Sequence, residues 1–279
     1  MTRIIHTSWF HQFIRWARLR QIAGFVLRTI SPRFRYGETS YRVHSPESFS
    51  VASEIFKQRT YDSISEQNDV RTIVDLGCNT GYFTCFLAEH FGADMIEGIL
   101  VDADTDVLTE CDWHLDKNGI RNCRTLHAVV GPEGEETAEF HVGEFNISSS
   151  ARGFEGDYPF PARAKKSVQV PLANLRGILA DTFGDRRVDI LKIDIEGSEA
   201  DLLAGDLGYL RQVDTIVIEW HKWVLDFDEV KMKLKGVEFS DYEILKEDSI
   251  CGVACFRNAV AASGRECSLG SPRVFAEGV

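Results

Sequence analysis

Apolar and polar positions alternate with two different periods between residues 71 and 258, and the two periods predict strands that alternate with helices. Short apolar runs rich in β-branched residues predict strands at 71–76, 95–101, 122–128, 188–195 and 213–219. Apolar residues spaced three and four apart predict helices at 81–91, 104–118, 173–183, 198–209 and 226–235. Such alternation implies right-handed crossovers and a parallel sheet.

The regular alternation of predicted strands and helices is interrupted in the middle of the chain. Residues 136–142 and 167–172 predict two extra strands on either side of a long loop, 143–166, that is rich in Gly, Ser, Pro and charge. Because long loops inside compact domains are often functional, we interpret this one as a candidate substrate lid with Asn146 and Ser148 as polar contacts. Disorder is the alternative interpretation.

The last strand-like segments, 242–245 and 252–257, have only a charged turn between them. Without an intervening helix they are expected to pair as a hairpin.

Residues 1–36 form a basic N-terminal segment with helical periodicity, in which Trp9, Phe13 and Trp16 share one face. The segment has seven arginines and no acid, so it carries +7 of a chain whose net charge is -12 and leaves -19 on the remainder. Its arginines argue against a membrane-spanning helix. Two interpretations stay open: a helix that packs on the domain or on a partner subunit, and a helix that rests on an anionic bilayer.

A second helix is predicted at 46–59, where Ser45 and Pro46 resemble an N-cap and first turn.

Composition restricts the classes of protein that the chain can represent. Apolar residues make up 44% and charged residues 27%, the values of a soluble globular protein. The acidic body would repel phosphate backbones, so we expect no nucleic-acid partner. Seven cysteines without Cys-x-x-Cys spacing favour reduced thiols and a cytoplasmic location.

The stretch Ile73-Val-Asp-Leu-Gly-Cys-Asn-Thr-Gly81 connects the first predicted strand of the alternating region to its first helix. Its glycines, Gly77 and Gly81, would allow the backbone to approach a nucleotide-like ligand closely. The Gly-x-Gly-x-x-Gly order of dinucleotide sites is absent, and Asp75 would repel a pyrophosphate but suit an ammonium group. The stretch therefore favours S-adenosylmethionine over NAD, with an ordinary β-to-α turn as the alternative.

Asp102 stands at the end of the next predicted strand. A carboxylate there can accept hydrogen bonds from both ribose hydroxyls of a nucleoside. Alternatively, Asp102 is the N-cap of the helix that follows.

Four segments occur in the order seen in the FkbM family of S-adenosylmethionine-dependent methyltransferases, which the chain resembles from about residue 70 to 257. They are Asp75-Leu-Gly-Cys-Asn-Thr-Gly81, His127-Ala-Val-Val-Gly131, Leu191-Lys-Ile-Asp-Ile-Glu-Gly-Ser-Glu199 and Ile218-Glu-Trp-His221. The resemblance implies a class I methyltransferase fold: α/β, doubly wound and Rossmann-like, with a mostly parallel seven-stranded sheet and an antiparallel last strand. We expect this domain at 61–258, after a basic helical arm and cap at 1–60 and before a flexible tail at 259–279.

The resemblance also implies residue roles around the cofactor. The residues implied are Asp75, Gly77, Cys78, Asn79 and Gly81 at the methionine moiety, Asp102 and Ala103 at the ribose, and His127 and Ala128 beside the adenine. The sequence departs from the family pattern in having Cys78 where a smaller residue is commoner, and Asp102-Ala-Asp where Glu-Pro is frequent.

Four further polar residues stand at predicted strand ends, where ligands of doubly wound sheets bind. Methyl transfer needs an aligned acceptor and removal of its proton, so neutral His221 is a candidate base, and a structural histidine is the alternative. Asp194 is a second candidate, as base or electrostatic anchor. Glu196 and Glu219 are candidate substrate contacts. Asp194, Glu219 and His221 have the chemistry to hold a divalent ion, but no ligand spacing demands one, and we predict no metal.

The sequence therefore predicts an S-adenosylmethionine-dependent O-methyltransferase that acts on a hydroxyl of a small molecule, sugar or natural product. An NAD-dependent Rossmann oxidoreductase and a non-catalytic interaction protein that retains the fold are the alternatives. Self-association into a homo-oligomer stays open.

Overall fold

The computed structural model describes residues 22–67, 69–132, 136–143 and 164–259. The helices are α1 (22–30), α2 (Pro46–Ala52), α3 (Asp62–Ser65), α4 (Tyr82–Phe91), α5 (Thr105–Asn118), α6 (Leu175–Phe183), α7 (Glu199–Leu202) and α8 (Phe227–Lys235), with a π-helical turn at Ser53–Lys57 and a 3-10 helix at Gly208–Gln212. The strands are β1 (Arg33–Tyr36), β2 (Thr39–Arg42), β3 (Thr72–Leu76), β4 (Glu97–Asp102), β5 (Asn122–His127), β6 (Val129–Val130), β7 (Thr137–Gly143), β8 (Ala164–Ala173), β9 (Val188–Ile193), β10 (Val213–His221), β11 (Phe239–Glu247) and β12 (Cys251–Asn258).

Seven strands form one sheet in the order β5-β4-β3-β9-β10-β12-β11. The neighbours from β5 to β10 are parallel, whereas β12 runs antiparallel to both β10 and β11. The predicted fold class, a mostly parallel seven-stranded sheet with an antiparallel last strand, is confirmed. The predicted hairpin is present and longer than expected, since its pairing runs from Phe239 opposite Asn258 to Glu247 opposite Gly252, with two register shifts.

Apolar layers cover both faces of this sheet, which is why its central strands are continuous apolar runs. All five residues of β3 are buried. Val74 and Leu76 belong to one core cluster and Ile73 to the other, because successive side chains of a strand point to opposite faces. The carboxyl ends of β3, β4, β9 and β10 consequently meet at one edge.

The helix predicted at 198–209 is wrong in extent. Only α7 is α-helical there, and the 3-10 helix follows after a turn. In that turn, the Asp206 carboxylate accepts a hydrogen bond from the Gly208 backbone N–H at 2.9 Å. Such local bonds of Asp, together with the flexibility of Gly205 and Gly208, compete with helix formation.

The segment before the sheet contains elements that the sequence pattern did not predict, namely the β1–β2 hairpin and α3. The predicted Ser45 cap is present: the Ser45 hydroxyl accepts from the Ser48 N–H at 3.0 Å, and Pro46 opens α2. Tyr41 stacks on Phe56 with ring centroids 4.3 Å apart. Val43 and Phe56 share a core cluster with residues of α4, so this segment packs as part of the domain core.

The two extra strands predicted in the middle of the chain are β7 and β8, which pair antiparallel and form a small sheet with β6. Val129, Phe140 and Val170 make its core. The predicted lid contacts Asn146 and Ser148 lie outside the described residues, as do residues 1–21. Among the helices that the structure describes, none combines the length and apolarity needed to cross a bilayer.

Candidate active site

A crevice with a cavity volume of about 310 Å³ lies at the edge where the parallel strands end. Ten predicted site residues line it: Gly77, Cys78, Asn79, Asp102, Ala103, Ala128, Asp194, Glu196, Glu219 and His221. The predicted cofactor residues and the predicted catalytic residues therefore face one common space.

The turn after β3 forms one wall of the crevice and is held between two neighbouring strands. The Gly77 and Cys78 N–H groups both donate to the Val101 carbonyl, at 2.9 and 3.0 Å. Gly77 has φ +70°, and a Cβ there would lie 1.6 Å from the backbone oxygen of Asp194. Only glycine fits this position, because the backbone after β9 passes directly against it.

Asp102 is fixed at the end of β4 by backbone donors. One carboxylate oxygen accepts from the Asn79 N–H and the other from the Asp104 N–H, both at 2.9 Å. Burial raises the pKa of Asp102 to about 6, against the opposing effect of these two hydrogen bonds. The alternative role as N-cap of α5 is wrong, since Asp104 occupies that position and accepts from the Asp106 N–H.

Apolar side chains surround Asp102 within the crevice. Val107 comes from α5, Ala128 follows β5, and Phe140 comes from the small sheet. This end of the crevice thus combines one fixed carboxylate with apolar side chains, which suits a nucleoside.

Three predicted cofactor residues do not contribute to the lining that the described residues form. Asp75 is fully buried behind the turn, where it accepts from the Thr84 hydroxyl at 3.3 Å and lies 3.7 Å from the Lys192 ammonium. The Nε2 of His127 bonds the Ala103 carbonyl at 3.0 Å. At Gly81, φ is +78° and a Cβ would lie 2.7 Å from Cys111 Sγ, so this glycine allows α4 to pack closely on α5.

The opposite end of the crevice is a cluster of carboxylates around His221. The imidazole Nδ1 lies 3.1 Å from Glu199 Oε1, and Nε2 lies 3.4 Å from Glu196 Oε2 and 3.9 Å from Glu219 Oε1. Burial by itself favours the neutral ring, but the hydrogen bond and charge of Glu199, with the charges of Glu196 and Glu219, raise the pKa of His221 to about 10. This shift favours the protonated ring at neutral pH and argues against the neutral imidazole base that the sequence predicted.

Glu199 is the residue of this cluster that the sequence analysis did not assign to the site. It is fully buried, and its Oε1 accepts from the Ile195 and Gly197 N–H groups at 3.2 Å each. These bonds fix the carboxylate that orients His221. The sequence signal that could have indicated Glu199 is its place as the second acid of Glu-Gly-Ser-Glu, directly after a predicted strand. Its burial became apparent only from the fold.

Asp194 and Glu219 face the crevice from the ends of β9 and β10. The Lys192 ammonium donates a hydrogen bond to the Asp194 carboxylate at 2.9 Å, and it lies 3.7 Å from the carboxylate of the buried Asp75. Burial, and next the charge of Asp194, raise the pKa of Glu219 to about 7, although His221 opposes this shift. Glu219 is consequently close to half ionised at neutral pH.

Donor atoms of Asp194, Glu219 and His221 all lie within 4.8 Å of one another, a spacing that three ligands of one divalent ion could have. A divalent ion at these three residues, which the sequence left open without predicting it, stays a hypothesis that loss of activity on chelation would support.

Comparison with known proteins gives a family match and distant structural similarities. A family model described as the methyltransferase FkbM domain matches residues 75–245. "Methyltransferase 1" of Beauveria bassiana (strain ARSEF 2860) is 22% identical over 202 residues, which cover 68% of this chain and 80% of that protein.

Two solved structures illustrate the distant similarities. Methyltransferase FkbM from Methylobacillus flagellatus KT is 14% identical with a TM-score of 0.45, and the match covers 67% of this chain but only 44% of that one. A SAM-dependent methyltransferase from Agrobacterium tumefaciens is 9% identical with a TM-score of 0.47, over 81% of this chain and 70% of that one.

Proposed function

Because the chain belongs to the FkbM methyltransferase family, we propose that it transfers a methyl group from S-adenosylmethionine to a hydroxyl of a small molecule, sugar or natural product. The observation that carries this proposal is the common crevice, which Asp102 and apolar side chains line together with the carboxylates of Asp194 and Glu219. One end suits the donor and the other end suits activation of an acceptor.

The donor end supports recognition of the adenosine moiety. Each carboxylate oxygen of Asp102 already accepts one backbone N–H. A carboxylate has about four acceptor sites, so both oxygens can still accept a ribose hydroxyl. Val107, Ala128 and Phe140 offer the apolar surface against which the adenine would pack.

The charge of the crevice favours a cationic donor. Asp194, Glu196 and Glu219 line it, whereas Lys192 and His221 are the cations closest to them. Burial raises the pKa of Glu196 and of Glu219, so the charge that would stabilise a sulfonium here comes mainly from Asp194, and it acts more strongly than in bulk water because the site is partly buried.

Glu219 replaces His221 as the proton acceptor in this proposal. A base works best when its pKa lies near the working pH, and burial brings that of Glu219 to about 7. Bound S-adenosylmethionine would supply an activated methyl group with the thioether product as leaving group, and Glu219 would take the proton of the acceptor hydroxyl as its oxygen receives that methyl group. Asp194, held by Lys192, would accept a hydrogen bond from the substrate and align it.

Isothermal titration with S-adenosylhomocysteine tests the donor site directly. We expect the protein to bind this product, and Asp102→Ala to weaken binding about tenfold or more, as expected for loss of a charge-assisted contact. Binding by the unmodified protein should also weaken as the pH falls through about 6, because protonation removes the charge of Asp102. Asp116→Ala, an exposed substitution on α5, is the matched control. Absence of binding, or preference for NAD, would favour the oxidoreductase or the non-catalytic protein instead.

A further inference from the structure

Helix α1 turns its more apolar side away from the protein body. Gly24 is buried and Leu27 is partly buried against the core, so these two positions define the inner face. On the outer side Phe25 is 72% exposed and Ile30 is 68% exposed. A surface helix normally shows the opposite pattern, with its apolar stripe inward.

The exposed apolar residues occur on three elements that are close in the chain or in space. Gly24 of α1 lies against α2, since a Cβ there would be 3.9 Å from the Pro46 ring, and β1 follows α1 directly. We call the following set the α1 surface: Ile22, Phe25, Val26, Ile30, Phe34 and Phe49. Exposed apolar residues that occur together in this way mark interaction sites more often than scattered ones do.

Positive charge accompanies the α1 surface. Arg28, Arg33 and Arg35 are all exposed on the same stretch of chain. The first acid in the sequence is Glu38, whereas the chain as a whole has a net charge of -12. The apolar surface is therefore placed on the one strongly basic segment of an acidic protein.

We propose that the α1 surface docks on an anionic lipid bilayer, with its apolar side chains at the acyl boundary and its arginines at the headgroup phosphates. Interfacial helices bind through this combination of apolar burial and attraction to anionic lipid. The acidic remainder is repelled by such a membrane, so the charge asymmetry also selects which side of the protein faces it.

Charge argues against the other simple occupant, a second copy of this chain. A two-fold symmetric interface brings the same patch of both subunits together. Arg28 and Arg33 beside the α1 surface would then face their own counterparts, whereas Arg35 already lies 3.9 Å from the Glu38 carboxylate. A bilayer rich in phosphatidylserine supplies the missing negative charge.

The test is flotation of the full-length protein with phosphatidylcholine vesicles that either contain or lack phosphatidylserine. We expect flotation with the anionic vesicles only, and a weaker signal at high salt because salt screens the arginines. The double variant Phe25→Glu/Ile30→Glu should reduce the floated fraction about tenfold. Met232→Glu is the matched control, since Met232 is 67% exposed on α8.

Each other outcome overturns the inference. Flotation that does not depend on phosphatidylserine, flotation that survives the double variant, or no flotation would each exclude docking through the α1 surface on anionic lipid. A dimer in light scattering that the double variant dissociates would assign the surface to a second copy. Retained binding of S-adenosylhomocysteine by the double variant shows that the fold and donor site are intact, so this result is separate from the proposed function.

Discussion

The crevice residues control one another's protonation, and this control determines which of them can act as a base. His221 has the ordinary chemistry of a base, but the charges of three glutamates around it raise its pKa. Burial brings the pKa of Glu219 to about 7. For this reason the proposed mechanism uses Glu219 as the proton acceptor instead of His221.

Substitution of Glu219 tests this assignment. With saturating donor and acceptor, the methyl-transfer rate should rise as the pH increases through about 7 and then level off, because the base must be deprotonated. We expect Glu219→Gln to lower the rate by about 100-fold or more and to remove that rise. Glu229→Gln, at an exposed position of α8, should behave as the unmodified protein. An unchanged pH profile in Glu219→Gln would assign the base to another residue.

At the scale of elements, the turn between β3 and α4 requires the backbone at Gly77 to lie directly against the backbone that follows β9. Gly77 and Gly119 have nearly the same positive φ, +70° and +69°, but differ in their surroundings. A Cβ at Gly77 would overlap the backbone oxygen of Asp194, whereas a Cβ at Gly119 would meet nothing within 4 Å. Alanine substitutions at these two glycines therefore separate the free-energy cost of a side chain in left-handed backbone from the additional cost of a steric clash.

We expect Gly119→Ala to lower the free energy of unfolding by about 1 kcal/mol, the usual cost of a side chain in this backbone region. Gly77→Ala should cost roughly 3 kcal/mol or more, because the turn must also move away from β9. Urea unfolding measures both values. Similar losses in the two variants would mean that the turn relaxes easily and that the contact with Asp194 does not restrain it.

At the scale of the whole molecule, the segment before residue 61 and the sheet domain share one core. Val43, Ile55 and Phe56 pack in the same apolar cluster as Tyr82 of α4. The Tyr82 hydroxyl donates to the Arg42 carbonyl at 2.6 Å, and the Arg42 guanidinium donates twice to Glu110 of α5. The predicted boundary between a cap and a domain at residues 60 and 61 thus crosses a packed interface.

Truncation should reveal this dependence. Removal of residues 1–31 is expected to leave a protein that unfolds cooperatively and binds S-adenosylhomocysteine. Removal of residues 1–60 also deletes three buried apolar side chains worth roughly 1.5–3 kcal/mol each, a sum comparable to the whole stability of a typical domain. We expect the longer truncation to lose its cooperative thermal transition in circular dichroism. A cooperative transition after that deletion would support an independent domain that begins near residue 61.

The sequence alone was enough for the features that depend on local pattern. Strand and helix periods predicted the alternating elements and a parallel sheet, because each period follows from the geometry of the element itself, and the resemblance to the FkbM family implied the seven strands and the antiparallel last one. The turn at Gly77 and the acid at Asp102 were also predicted, because the ends of parallel strands meet at one edge of such a sheet. Ser45 and Pro46 were recognised at the start of α2, since capping involves neighbouring residues only.

Only the tertiary structure decided which charged groups are partners. Glu199 meets His221 across 22 positions of sequence, and Lys192 meets Asp75 across more than a hundred. Protonation depends on distance and burial, and neither follows from a residue's type or from its neighbours in the chain. The sequence therefore identified ten residues of the crevice, whereas the packing of distant strands decided which charged groups shift one another's pKa.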